Sequence, residues 1–97
     1  MSRDEPEQHI LKTWPVFFQA VLEGRKTFEL RDCSEEDRFF RPGDTLRLVE
    51  WDQAAQEYTG RALECSVTYV MDGGRFGLPT HLCVMSIADV KESSVHT

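Results

Sequence analysis

The sequence predicts a mainly β (α+β) domain: a small barrel of five or six strands with one main helix. Apolar and polar residues alternate over residues 62–71, which is typical of a strand with one buried face. Over residues 15–23, apolar residues instead recur at separations of three and four, which is typical of one helix face. About five short strands joined by turns favour a closed or nearly closed barrel, because closure removes unpaired sheet edges.

The predicted helix has clear start and stop signals. Pro15 suits the first helical position, because the ring presets φ and the first amide needs no partner there. Phe18 and Val21 are three residues apart and share one face. Gly24 is the expected stop, since glycine readily adopts the left-handed conformation that ends many helices. We therefore expect a helix over about residues 15–23.

The predicted strands are short segments that are either alternating or continuously apolar, separated by turn residues. They cover residues 9–13, 27–31, 45–51, 62–71 and 82–87. In the strand over 27–31, Phe28 and Leu30 point to one face, which we assign to the core. The predicted core consists of Phe17, Phe18, Val21, Leu22, Phe28, Leu30, Leu46, Leu48, Val67, Tyr69 and Ile87.

The length of 97 residues predicts a single domain. Residues 1–8 are polar and are expected to form a flexible N-terminus, residues 9–90 the folded domain, and residues 91–97 a flexible C-terminal tail. No stretch is long and apolar enough for a membrane span, and the first residues lack an apolar signal core. We therefore expect a cytoplasmic protein with no membrane partner.

Charge and cysteine content restrict the partners further. The formal net charge is -6, whereas proteins that hold a long nucleic-acid backbone carry clustered lysines and arginines. Extended backbone binding is therefore not expected, although a nucleoside or a single exposed base needs few phosphate contacts. Cys33, Cys65 and Cys83 are far apart and odd in number, which argues against a disulfide framework. Neither these cysteines nor the three histidines have metal-ligand spacing, so we expect no metal and no cofactor.

The strand that follows Gly24 carries the best candidate site. Its second face presents Thr27, Glu29 and Arg31, with Lys26 at the strand entrance. A lysine beside a carboxylate can hold a phosphate or relay a proton, and the arginine fork suits planar or phosphate groups. The alternative is a structural ion pair at the barrel mouth.

Other candidate ligand-binding residues lie elsewhere in the chain. Lys12 and Thr13 follow a strand and precede the helix, so their side chains can reach the same cleft. Trp14 and Trp51 are candidates for stacking on a base. Packing in the core or at the rim is an equal alternative for both tryptophans.

An ordered set of short motifs resembles a known family. The set runs His9-x-Leu11-Lys12-Thr13-Trp14-Pro15, Gly24-x-Lys26-x-x-Glu29-x-Arg31, Arg38-x-Phe40-x-x-Gly43-Asp44, Glu50-Trp51, Tyr58-Thr59-Gly60-Arg61, Val67-x-Tyr69-Val70 and Gly73-Gly74-x-x-Gly77-Leu78. It resembles the small bacterial and phage proteins called DUF3850, within the ASCH group of the PUA-like superfamily. The resemblance implies a small β-barrel with a helix closing a cleft. Because relatives with this fold mostly bind RNA or recognise modified bases, it also implies a module that binds RNA or a modified nucleobase or nucleoside.

Two alternatives remain open. One ASCH branch contains bacterial amidohydrolases that deacetylate N4-acetylcytidine, and its sequence also runs Gly-Arg-Lys-Thr-x-x-x-Arg-Asp. By this resemblance its catalytic lysine corresponds to Lys26 and its arginine to Arg31, while Glu29 takes the place of its nucleophilic threonine. An enzyme of this kind would use Glu29 as general base and Lys26 to stabilise the oxyanion. The other alternative is a protein-interaction domain of phage origin.

Overall fold

The computed structural model describes residues 5–34 and 39–94, which form a mainly β structure with one helix. The mainly β class predicted from the sequence is therefore confirmed. In chain order the elements are β1 (Gln8–Thr13), α1 (Pro15–Leu22), β2 (Phe28–Asp32), β3 (Thr45–Asp52), β4 (Glu57–Asp72) and β5 (Leu82–Ser94).

All five strands belong to one sheet, in the order β1-β3-β4-β5-β2. The β1–β3 pair is parallel and the other pairs are antiparallel. Helix α1 packs against both β3 and β5, which lie on opposite sides of β4. The sheet therefore curls around the helix as a half-barrel.

The sequence predicts a closed or nearly closed barrel, and the described strands form an open half-barrel in which β1 and β2 are the two edges of the sheet. The side chain of Arg31 in β2 occupies the gap between them. Its Nη1 donates to the carbonyl oxygen of Lys12 at 3.0 Å, and its Nη2 donates to Thr13 Oγ1 at 3.1 Å. We call this gap between β1 and β2 the seam. Side-chain hydrogen bonds bridge it, whereas a closed barrel would have backbone hydrogen bonds there.

The ends of α1 follow the sequence signals closely. Trp14 is extended, with φ -65° and ψ 149°, as expected for a residue before proline. Phe18 and Val21 are completely buried under the curl of the sheet. The helix ends at Leu22, one residue before the predicted end, and Gly24 has a φ of +79°.

Four residues assigned to the core from the sequence are exposed instead. Phe17 and Phe28 are each 46% exposed, Leu30 is 47% exposed and Tyr69 is 63% exposed. The remaining predicted core residues are buried, apart from Leu22, which is partly buried. The hydrophobic core also contains six residues that the sequence analysis did not assign to it: Leu11, Phe40, Leu63, Cys65, Cys83 and Met85.

The orientation of β2 is the reverse of the prediction. Glu29 is 2% exposed and lies opposite Met85 of β5, which is completely buried. Phe28 lies opposite Ser86, which is exposed. Alternation correctly separates the two faces of β2, but it does not say which face is inside when the interior holds an ion-paired carboxylate.

Tyr69 is exposed because of an irregularity in β4. The register with β5 shifts between Val67 and Tyr69. A bulge of this kind inserts one residue and exchanges the two faces beyond it. Val67 is therefore buried, and Val70 packs against the core in place of Tyr69.

Strand β1 begins at Gln8 and β5 ends at Ser94. The division into a flexible N-terminus, a domain over residues 9–90 and a flexible C-terminal tail stays a prediction. The expectations for residues 1–4 and 95–97 lie outside the described residues. Across the described ranges, no helix has the length and apolar character needed to cross a membrane.

Candidate ligand-binding cleft

A cleft with a volume of about 380 Å³ opens where α1 meets the seam. The end of β1, the first turn of α1 and most of β2 contribute its walls. The lining residues are Lys12, Thr13, Trp14, Phe17, Lys26, Phe28, Glu29, Leu30 and Arg31.

The floor of the cleft is built around the carboxylate of Glu29. Oε1 accepts a hydrogen bond from Arg31 Nε at 2.9 Å and forms an ion pair with Nη2 at 2.8 Å. Oε2 accepts a hydrogen bond from Lys26 Nζ at 2.6 Å. Burial of a carboxylate is unfavourable unless it is paired and hydrogen-bonded, and these two cations meet both conditions.

Local sequence explains how Lys26 reaches this position. The amides of Arg25 and Lys26 both donate to the carbonyl of Ala20, at 2.9 and 3.0 Å, so the connection after α1 turns back on the helix end. The Lys26 ammonium also donates to the carbonyl of Phe28 at 2.7 Å. Its position is therefore fixed by two acceptors within three residues of it.

The walls of the cleft are apolar and partly open to solvent. Trp14 and Phe17 stack with a centroid distance of 6.1 Å and an interplanar angle of 21°. Phe28 and Leu30 of β2 complete the walls. Each of these four side chains is about half exposed. A cluster of exposed apolar side chains around a polar floor is typical of a ligand-binding site.

At the rim, Lys12 rests on two aromatic rings outside the cleft. Its Nζ lies 3.9 Å from the ring centroid of Trp51 and 5.6 Å from that of Tyr58. The two rings meet edge to face at 4.7 Å. A cation–π contact of this exposed kind contributes about 0.5–1 kcal/mol.

Six of the eight residues that the sequence singled out therefore line one cleft: Lys12, Thr13, Trp14, Lys26, Glu29 and Arg31. Trp51 is outside the lining and reaches it only through Lys12. Thr27 is also outside the lining, with an exposed side chain and a carbonyl that accepts the amide of Ile87 at 3.1 Å.

Sequence reasoning missed three residues of the cleft, namely Phe17, Phe28 and Leu30. It assigned all three to the core because apolar side chains at helical or strand spacing are usually buried. The alternation along β2 could have revealed Phe28 and Leu30, provided that the opposite face of the strand had been assigned to the interior. If Glu29 and Arg31 point inward, Phe28 and Leu30 must point outward.

Buried thiols lie behind the floor. Burial is the main cause that raises the pKa of Cys65 to about 12, the Glu29 carboxylate raises it further, and Lys26 opposes the shift. Burial, followed by a hydrogen bond with Cys33, raises the pKa of Cys83 to about 12. Both groups stay protonated at neutral pH, so neither can supply a thiolate nucleophile. Within the described ranges, no three His, Cys, Asp or Glu side chains converge as metal ligands do.

The cleft has the opposite charge to the chain as a whole. Lys12, Lys26 and Arg31 are cationic and Glu29 is anionic, which leaves a formal excess of two positive charges among the lining residues. The complete chain has a formal net charge of -6. The cleft is therefore a local basic site on an acidic protein.

Comparison with known proteins defines the class to which this half-barrel belongs. The profile of the family described as "Domain of unknown function (DUF3850)" matches residues 8–87. The chain belongs to this family, and the resemblance to DUF3850 seen in the sequence is confirmed.

A similar protein is the "Uncharacterized 12.9 kDa protein in GpA 3'region" of Escherichia phage P2. The two share 42% identity over 64 residues, covering 66% of this chain and 54% of the phage protein. The chain thus spans about half the length of this relative.

Proposed function

We propose that the cleft binds a nucleobase, either in a free nucleoside or exposed in single-stranded RNA. The observation that carries the proposal is the combination of aromatic walls and a charged, hydrogen-bonding floor in one cleft. A base has an apolar face and a polar edge, so it matches both parts at once. A volume of about 380 Å³ lies within the usual range for small-molecule sites.

The walls can stack on the face of the base. Trp14, Phe17 and Phe28 line the cleft, and each is about half exposed. Stacking of a base on an aromatic side chain contributes about 1–3 kcal/mol and tolerates any base. The walls therefore supply affinity with little sequence preference.

The floor can read the edge of the base. The Lys26 ammonium has three N–H donors, and two meet acceptors in the described structure. The Arg31 guanidinium has five, and three donate hydrogen bonds to Glu29, Lys12 and Thr13. Each side chain thus keeps at least one donor for a ring nitrogen or carbonyl oxygen of the ligand.

Fold and charge support the same proposal. We place the DUF3850 half-barrel within the ASCH group of the PUA-like superfamily, in which a helix closes a base-binding cleft. This placement is an analogy of fold, and the cleft chemistry carries the argument. The overall charge of -6 favours a ligand with few phosphates over a long RNA backbone.

Tryptophan fluorescence tests the proposal directly. The chain has two tryptophans, so Trp51→Phe leaves Trp14 as the sole reporter. Titration with the four nucleosides and with short single-stranded RNAs should quench Trp14 emission saturably. Phe28→Ala should weaken binding at least about fivefold, because it removes one stacking surface. Phe76→Ala is the matched control, since that ring is 93% exposed and outside the cleft.

No response at millimolar ligand would reject the proposal. Capture of a protein partner that survives nuclease treatment would then favour the protein-interaction alternative.

A second candidate function is hydrolysis of an acylated, cytidine-like base. The observation that favours it is the 2.6 Å contact between Lys26 Nζ and Glu29 Oε2 on the cleft floor. Arg31 engages Oε1 through a hydrogen bond and an ion pair, so Oε2 would take the proton from an attacking water and then deliver it to the leaving amine nitrogen as the C–N bond breaks. Lys26 would then stabilise the oxyanion that forms on the amide carbonyl.

Turnover assays separate the two candidates. Incubation with N4-acetylcytidine should release acetate only if the protein is an amidohydrolase, and Glu29→Gln should then lower the rate by about 10²–10⁴-fold. Lys26→Ala should weaken binding of anionic ligands under either candidate. Absence of product at high enzyme concentration, together with saturable binding, would reject the amidohydrolase candidate and support the binding function.

A further inference from the structure

We infer that the ligand is a nucleotide, not a free nucleoside, and that Lys12 binds its phosphate at the rim of the cleft. This inference rests on the proposed function, because it names the ligand class for the same cleft. It draws on three observations: the charge excess of the lining, the contacts of Lys12, and the position of Lys12 relative to the floor.

Lys12 contributes one of the two excess positive charges of the cleft. On the floor, Lys26 and Arg31 share the single carboxylate of Glu29, which leaves one positive charge. Lys12 adds a second positive charge at the rim. A phosphate monoester carries a charge of about -1.5 to -2 at neutral pH, so it neutralises this excess, whereas a nucleoside leaves it unchanged.

Lys12 differs in its contacts from three exposed or partly exposed arginines of the protein. Arg25, Arg47 and Arg61 have carboxylate oxygens at 2.7, 2.9 and 3.6 Å, respectively. In the part of the chain that the structure describes, the Lys12 ammonium meets only the rings of Trp51 and Tyr58. A charge-assisted hydrogen bond to phosphate is stronger than such a contact.

The backbone geometry puts this ammonium on the solvent side of the floor. Side chains alternate along β1, so Thr13 is buried and bonded to Arg31 while Lys12 is exposed. The Lys12 carbonyl accepts a hydrogen bond from Arg31 at 3.0 Å. The backbone at this position is therefore fixed, and the long side chain can turn from Trp51 toward a phosphate. A base on the floor would then have its sugar and phosphate directed to the rim.

Isothermal titration calorimetry with the full chain tests the inference. The probes are cytidine, uridine, adenosine and guanosine, their 5′-monophosphates, and inorganic phosphate, each at low and at high salt. For the base that binds best, the monophosphate should bind about tenfold more tightly than the nucleoside at low salt. This preference should shrink at high salt, because a rim contact is screened.

The Lys12→Gln variant should reduce the preference to about twofold or less. Lys91→Gln is the matched control, because it removes the same charge from an exposed position outside the cleft, and it should keep the tenfold preference. Unchanged thermal unfolding and circular dichroism would show that Lys12→Gln is folded, and the ratio of the two dissociation constants is the readout.

The possible failures are distinguishable. Equal affinity for nucleoside and monophosphate would overturn the inference and leave the proposed function intact, as would a preference that survives in Lys12→Gln. No binding of any nucleoside or nucleotide would overturn both. Inorganic phosphate binding as tightly as the monophosphates would also overturn both, since the base would then contribute nothing.

Discussion

Replacement of Glu29 by glutamine should destabilise the fold far more than loss of a surface ion pair. Glu29 is 2% exposed, and its carboxylate is the only partner that neutralises Lys26 and Arg31 in the described structure. Removing one member of a buried ion pair costs about 3–5 kcal/mol, because the remaining charge is left uncompensated. The side chains of Lys26 and Arg31 remain 17% and 19% exposed. Water therefore offsets part of this loss, and we expect a decrease of about 2–4 kcal/mol in the free energy of unfolding.

Urea denaturation followed by tryptophan fluorescence measures this decrease. With a slope of about 2 kcal/mol per molar urea, the midpoint should fall by about 1–2 M. Glu64→Gln is the matched control, because Glu64 pairs with Arg47 at 2.9 Å while remaining 45% exposed. The control should lose less than about 1 kcal/mol. If Glu29→Gln loses no more than the control, the description of Glu29 as the anchor of the cleft floor is wrong.

Other predictions concern the core, the helix end and the thiols. Phe18→Ala should cost about 3–5 kcal/mol in urea denaturation, whereas Phe28→Ala should cost less than about 1.5 kcal/mol, and a reversed ranking would contradict the strand orientation given above. Gly24→Ala should lower stability by about 1 kcal/mol, since the φ of +79° is unfavourable for alanine; an unchanged or higher melting temperature would contradict this. The folded-state pKa values of Cys65 and Cys83 are raised to about 12 from 9.0. As the pH rises, these thiols therefore ionise in the unfolded state before they ionise in the folded state. Their contribution to the free energy of unfolding should be constant below about pH 8 and should decline from about pH 9 toward pH 12. Melting temperatures across that range, compared with those of the Cys65→Ala variant, would show a shallower decline in the variant.

Local signals were sufficient for α1. Its start depends on Pro15 and its stop on Gly24, and both act through their own backbone conformations. Neither depends on distant parts of the chain, so the predicted ends agree with the structure to within one residue.

The orientation of β2 could not be read locally, because it depends on partners that are distant in sequence. Met85 of β5 lies opposite Glu29, and Thr13 of β1 accepts a hydrogen bond from Arg31. A buried carboxylate is rare enough that alternation alone favours the opposite choice. The bulge after Val67 is hidden for a similar reason, since nothing in the residues at 67–69 distinguishes an irregular strand from a regular one.

The composition of the cleft could be predicted only in part, because it depends on how β1 and β2 lie across the open side of the half-barrel. Lys26, Glu29 and Arg31 are close in sequence, so their grouping was visible. The contribution of Thr13 and Trp14 required β1 to lie beside β2 across the seam, which the strand pattern does not specify. The apolar walls were missed because the same residues were needed to complete the expected core.

The seam also affects how this protein behaves at high concentration. Exposed strand edges are templates on which other chains can add, and this is a common route to aggregation. Here the edges of β1 and β2 lie on either side of the seam, and the guanidinium of Arg31 in β2 donates a hydrogen bond to the carbonyl of Lys12 in β1. The two edges are therefore partly engaged with each other across the seam. We expect loss of this guanidinium to leave both edges available for pairing with strands of other molecules.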